Sequence, residues 1–116
     1  MNQKDDKLKE IIRALAADYF SRESNRQSLI TVTNIDLRNR ASKAIILITV
    51  LPEDKEQAAL EFAKRQLSEF REYVMKNSRV QRVPFFEVRI DSGEKNRQRM
   101  DEIGKIGDTK SQEISN

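Results

Sequence analysis

The chain has 116 residues, 22 Lys or Arg against 19 Asp or Glu, and a formal net charge of +3. That length suits one domain with a real core, and the small net charge excludes a general polycation. There is no Cys and no His, which excludes disulfides, thiolate metal sites and imidazole general bases. No apolar run approaches the roughly 20 residues that cross a bilayer.

The N-terminal Met-Asn-Gln-Lys-Asp-Asp leads straight into an amphipathic pattern without an apolar leader core, so no secretory signal is expected, and the absence of Cys fits a reducing cytoplasm. Leu8, Ile11, Ile12, Leu15 and Tyr19 recur at helical spacing, with Lys7, Lys9, Glu10, Arg13 and Asp18 outside that face. Ser21 to Ser28 is polar and aperiodic and reads as a loop. Leu29 to Leu37 reads as a strand with a conflict of parity. Ile30 and Val32 fall on one face and Ile35 and Leu37 on the other, so either a bulge sits near Thr33-Asn34 or both faces are partly covered.

Arg38-Asn-Arg-Ala-Ser42 is a polar connector of hairpin length, and the Ile-rich run Ala44 to Leu51 predicts a central strand. Pro52 ends it. Asp54 is placed to cap the next helix, with Gln57 three residues on completing a capping box. A helical pattern then extends from about Lys55 to Met75, with Ala59, Ala63, Leu67, Phe70 and Val74 as its buried stripe. It is long for so small a domain, and a break is expected near Ser68, the weakest helix former in its middle.

The most informative stretch is Arg79-Val-Gln-Arg-Val-Pro-Phe-Phe-Glu-Val-Arg-Ile-Asp91. Pro84 has no backbone N–H and marks a switch from helical to alternating spacing. After it Phe86, Val88 and Ile90 predict the buried face of a last strand. Met100, Ile103 and Ile106 suggest a short helix, and the chain from Gly107 reads as disordered. The order helix, strand, strand, broken helix, strand predicts an α+β domain: a small mixed three-stranded sheet with helices on one face.

Charge is uneven along this plan. Between Lys64 and Arg99 ten Lys or Arg stand against five Asp or Glu, a local +5 that leaves −2 for the rest. A basic C-terminal half points to a phosphate-rich partner or to an ordinary solvated surface. Lys64, Ser68, Arg71 and Met75 share one helical flank beside the apolar stripe, so two cations bracket a small hydroxyl where a phosphate backbone could approach. The competing role for these cations is pairing with Glu one turn away. Lys76, Arg79 and Arg82 continue the basic run, the two arginines also being placed to cap the carbonyl end of the helix. Arg38, Arg40 and Lys43 cluster on the hairpin, and Arg97 and Arg99 follow the last strand. Phe85 and Phe86 could offer a stacking platform, although the phase of Phe86 with Val88 and Ile90 assigns it to the core. The carboxylate pairs Asp5-Asp6, Glu53-Asp54 and Asp101-Glu102 sit at element ends without the convergence that catalysis requires.

Several of these segments resemble the ribosome-binding factor A family. Leu29-Ile-Thr-Val-Thr-Asn-Ile-Asp-Leu37 looks like its first strand, usually of the form LVTVTDVEV. Ala41-Ser-Lys-Ala44, leading into Ile46-Leu-Ile-Thr-Val50, is similar to its L-S-x-A turn and second strand. Phe70-Arg71 and Arg79-x-x-Arg-Val-Pro84 look like its helix–strand junction, and Asp91 with Arg99-Met100 has the spacing of its closing motif. The match runs over about residues 3 to 103. The family's small-x-Gly step, which kinks its long helix, aligns with Gln66-Leu67-Ser68, where only Ser68 is small. The glycine of the closing motif is replaced by Arg97.

The resemblance implies a type II KH-like fold in a single domain over residues 1–103, followed by a flexible polar tail, 104–116. It implies a non-catalytic, cytoplasmic, monomeric assembly factor without cofactor or metal. Its partner would be 16S rRNA in the free small (30S) ribosomal subunit, with ribosomal proteins and other assembly factors as further contacts and no membrane. Its role would be maturation of the 16S rRNA 5′ region and growth in the cold. The residues read as RNA-binding are then Lys64, Ser68, Arg71, Lys76, Arg79, Arg82, Arg38, Arg40, Lys43, Arg97 and Arg99. Gly104-Lys-Ile-Gly107 matches the G-x-x-G with which KH domains clamp RNA. It falls after the last strand, however, and reads as tail. The alternative is a small α+β module that docks another protein without touching RNA.

Overall fold

The computed structural model describes residues 3–23 and 28–98. Its elements are α1 (Gln3–Glu23), β1 (Leu29–Arg38), β2 (Lys43–Leu51), a 3-10 turn (Glu53–Lys55), α2 (Glu56–Arg65), α3 (Leu67–Asn77) and β3 (Phe85–Ile90). A further helical segment, α4, covers residues 92–98. The sheet order is β1-β2-β3, with β1 antiparallel and β3 parallel to the central β2. Parallel pairing demands a long crossover, and α2 and α3 supply it.

The parity conflict in β1 is resolved by a bulge. The register shifts between Val32 and Asn34, so Ile30, Val32 and Ile35 all point into the core. The Thr33 hydroxyl, left at the irregularity, donates to Asp91 Oδ2 at 2.5 Å. That bond ties the bulge to the end of β3. Central β2 is buried along most of its length, and its inner face, Ala44, Ile46, Ile48 and Val50, meets Phe86 and Val88 of β3. On the opposite face Ile45 lies between Asp36 and Glu87 in register.

The helices cover the inner face. Ile12, Ala16, Tyr19 and Phe20 are the buried residues of α1, while Leu8 and Leu15 flank the core half-buried. The stripe is therefore centred closer to the C-terminus than the leucine pattern predicts, and it includes Phe20. α1 also runs to Glu23, past the loop expected from Ser21. Arg22 pairs with Asp18 one turn back and donates to the Tyr73 hydroxyl at 2.6 Å, which gives the last turn a partner on α3. Ala59, Ala63, Phe70 and Val74 are buried as expected, with Leu67 half-buried.

One local expectation fails. Asp54 lies inside the 3-10 turn, α2 starts after Lys55, and neither helix start carries a side-chain cap. Gln57 instead donates to Glu61 at 3.0 Å. The expected break in the long helix is present, at Gln66 within the Gln66-Leu67-Ser68 step. Gln66 keeps helical angles (φ −87°, ψ −5°), and its N–H is shared between Ala63 O at 3.1 Å and Phe62 O at 3.2 Å. The ladder tightens here between α2 and α3, with no loop. A tertiary contact meets this position: the Tyr19 hydroxyl donates to Gln66 Oε1 at 3.1 Å.

α4 departs from the expected plan, since the apolar pattern places a helix further on. Asp91 caps it, accepting from the Glu94 N–H at 3.0 Å. Asp91-Ser-Gly-Glu94 is a capping signal in the sequence. Lys95 then reaches both Glu53 and Glu56 at 3.0 Å, which fastens α4 to the start of the crossover and raises the Lys95 pKa. The helix suggested by Met100, Ile103 and Ile106 and the tail from 104 lie outside the described residues. The α+β plan, with a hairpin, a bent helical crossover and a closing strand over a one-sided helical layer, is the type II KH-like arrangement.

One interhelix contact has a pH signature. Tyr73 O–H donates to Asp18 at 2.6 Å, which with Arg22 holds the Asp18 carboxyl below its ordinary range and pushes the Tyr73 phenol above 10.0. A depressed carboxyl pKa contributes stability above its unfolded value and loses it as pH falls through the folded one. A raised phenol contributes below its unfolded value and loses it as pH rises through the folded one. Tyr73→Phe should therefore lower Tm most between about pH 5 and 9. The gap should narrow in acid and in alkali, as followed by thermal melts across pH.

Candidate nucleic-acid interface

Beside the α2–α3 break a groove of about 700 Å³ lies between the crossover and the sheet. Lys64, Leu67, Ser68 and Arg71 form its helical wall, and Ser42, Val83, Phe85 and Phe86 form the strand side. Lys64 lies on the last turn of α2 and Ser68 on the first turn of α3. The bend thus sets a cation and a hydroxyl beside one another on a continuous flank. Lys64 is exposed and makes no ion pair among the described residues.

Arg71 has a second role. Its Nη1 donates to the Pro84 carbonyl at 2.6 Å. It is half-buried and anchors the entry to β3 in place of pairing with a helical Glu. Phe85 N–H donates to Ser42 O at 2.8 Å, which fastens that entry to the hairpin as well.

The hairpin turn is backbone-driven. Asn39, Arg40 and Ala41 have φ of 54°, 56° and 65°. Left-handed geometry costs a residue with a Cβ about 1–2 kcal/mol. The turn is closed by Ser42 N–H to Asn39 O at 3.1 Å and Ser42 Oγ to the same oxygen at 2.7 Å. Its outcome is to place Ser42 in the groove wall. Nothing in the sequence signals this, because Ser42 reaches the helical wall only through the parallel pairing of β2 with β3.

The remaining basic residues do not converge on this groove. Arg38 pairs with Asp36 at 2.8 Å and Lys43 with Glu87 at 3.7 Å, so two of the three hairpin cations are partly neutralised, while Arg40 stays exposed. Lys76 lines a separate depression with Tyr19, Glu69, Glu72 and Tyr73. Arg79 lines another, with Lys4, Lys7, Leu8, Ile11 and Val80, and so joins α1 and not the Lys64 flank. Arg82 is exposed one residue before the groove-lining Val83. Arg97 pairs with Glu94 on α4, and Arg99 lies outside the described residues. Nor do the arginines close the end of α3. Asn77 Nδ2 donates to Tyr73 O at 2.8 Å and Ser78 Oγ to Val74 O at 2.7 Å. Phe86 is core, 4.9 Å ring to ring from Phe70. Among the described residues no acidic cluster could hold a metal ion and no helix is long and apolar enough to cross a membrane.

The fold is shared with solved structures. A crystal structure of ribosome-binding factor A from Thermus thermophilus superposes with a TM-score of 0.64 at 19% identity, covering 72% of this chain and 91% of that one. A solution NMR structure of a candidate ribosome binding factor A from Thermotoga maritima gives a TM-score of 0.53 at 18% identity, covering 76% and 83%. No curated protein sequence matches at a significant level. The sequence profile described as Ribosome-binding factor A matches residues 4–104, a span that contains every described element but the first residue of α1, and the chain belongs to that family.

Proposed function

We propose that this protein is a non-catalytic assembly factor that binds the immature small ribosomal subunit. It contacts 16S rRNA through the groove at the α2–α3 bend and assists maturation of the 5′ region. The observation that carries this reading is the convergence of Lys64, Ser68 and Arg71 on one groove, with the Lys64 charge unspent on the protein itself. A phosphate accepts hydrogen bonds from ammonium, hydroxyl and guanidinium groups alike, and such contacts fix a backbone without reading its sequence. Residues 1–103 act as one cytoplasmic, monomeric RNA-binding unit in this reading, with 104–116 as an appended tail.

Salt tests it. Association with purified free small subunits, followed by co-sedimentation over a salt series, should weaken with a log–log slope of about 0.7–0.9 per phosphate contacted. Translating ribosomes should not retain the protein. A nearly flat salt dependence would assign docking on a ribosomal protein and overturn the RNA reading.

A further inference from the structure

Phe85 is the most exposed large apolar side chain of the described residues, at 70%, while the next residue, Phe86, is 5% exposed. Strand alternation turns the two side chains to opposite sides, and both residues line the groove, Phe85 exposed and Phe86 buried. The backbone under Phe85 is fixed from three directions. Pro84 before it is buried with its carbonyl on Arg71, the Phe85 N–H is on Ser42, and Phe86 is locked against Phe70. An aromatic side chain on a fixed backbone is thus exposed to solvent in the same cavity lining as Lys64, Ser68 and Arg71.

A duplex would offer this site phosphates only, since its bases are already stacked on one another. An unpaired nucleotide offers both a phosphate and a free π-face. We infer that Phe85 is a stacking platform for an unpaired RNA base whose neighbouring phosphates lie on Lys64, Ser68 and Arg71. This rests on the RNA reading above and narrows it to single-stranded segments. Any base has a π-face, so the site selects the unpaired state and not a sequence.

The test uses the full chain and a short mixed-sequence oligoribonucleotide, free and annealed to its complement. Phe85→Ala should leave Tm nearly unchanged and weaken single-strand binding roughly 5- to 150-fold, with duplex binding and the salt slope unaltered because no cation is lost. Phe85→Trp should restore binding. The chain has no other Trp, so quenching of its fluorescence by the single strand reports the stack directly. Equal affinities of parent and Phe85→Ala for the single strand, an equal loss on duplex, or an unquenched Trp would each overturn the inference. So would weaker small-subunit association of Phe85→Ala with oligonucleotide binding unchanged, which would make Phe85 a protein contact. These failures leave the assembly reading standing, since that reading depends on the salt slope and on the charge reversal argued below.

Discussion

Lys64→Glu combined with Ser68→Glu is expected to abolish co-sedimentation with free small subunits while the domain stays folded. Both positions lie beside the buried stripe of Ala63, Phe70 and Val74 and outside it. Neither makes an ion pair among the described residues, so no existing ion pair is broken. Glu at 68 falls in the first turn of α3, where negative charge is favoured. In the groove the effect is reversed. A charge-assisted contact is lost and two carboxylates face the place a phosphate would occupy. The expected loss is about 100-fold or more in affinity, the equivalent of roughly 3 kcal/mol. Arg71 is left intact because its removal would free the Pro84 carbonyl and disturb β3, confusing binding with stability. Lys9→Glu on α1 should have little effect. If the double variant melts like the parent and still co-sediments, the groove is not the RNA surface, and the basic depression of Lys4, Lys7 and Arg79 becomes the next candidate.

Phe70→Ala should have the largest effect on stability. Phe70 is fully buried and its ring lies 5.4 Å from Tyr19, 5.4 Å from Phe20 and 4.9 Å from Phe86. It joins α3 to α1 and to β3 at once, so truncation leaves a cavity between three elements. Phe→Ala in such a core costs about 3–5 kcal/mol, against a total of about 5–15 kcal/mol for a domain. Chemical denaturation should show the midpoint falling steeply, or the variant unfolded at about 37 °C. A loss under about 1 kcal/mol would mean that the aromatic cluster is not the keystone of the core.

The periodic elements were legible in the sequence because burial imposes its period on composition. The stripe from Ala59 to Val74, the apolar run of β2 and the alternation after Pro84 follow directly from that rule. The parity conflict in β1 was legible too and left a bulge or two partly covered faces as alternatives, of which the structure has the bulge. Legible in the groove were the helical neighbours Lys64, Ser68 and Arg71, whose adjacency is local and set by about 3.6 residues per turn. Asp91 and Glu94 carried a capping signal for α4 that the more distant Met100, Ile103 and Ile106 pattern obscured.

Tertiary structure decided what depends on partners remote in sequence. At the break between α2 and α3 the Gln66 side chain accepts from the hydroxyl of Tyr19, 47 residues away. The tie of Tyr73 to Asp18 and Arg22 spans α1 and α3. The basic residues read as one surface are divided by the fold. Arg79 turns to α1, Lys76 to an acidic depression and Lys43 to Glu87, because sequence spacing fixes neighbours only within an element and the connector 78–84 redirects the chain. Ser42 and Phe85 complete the groove through parallel pairing of β2 with β3, which no local pattern encodes. Local periodicity thus determined the elements and one wall of the site. The second wall, and the separation of groove cations from the rest, came only from how those elements pack.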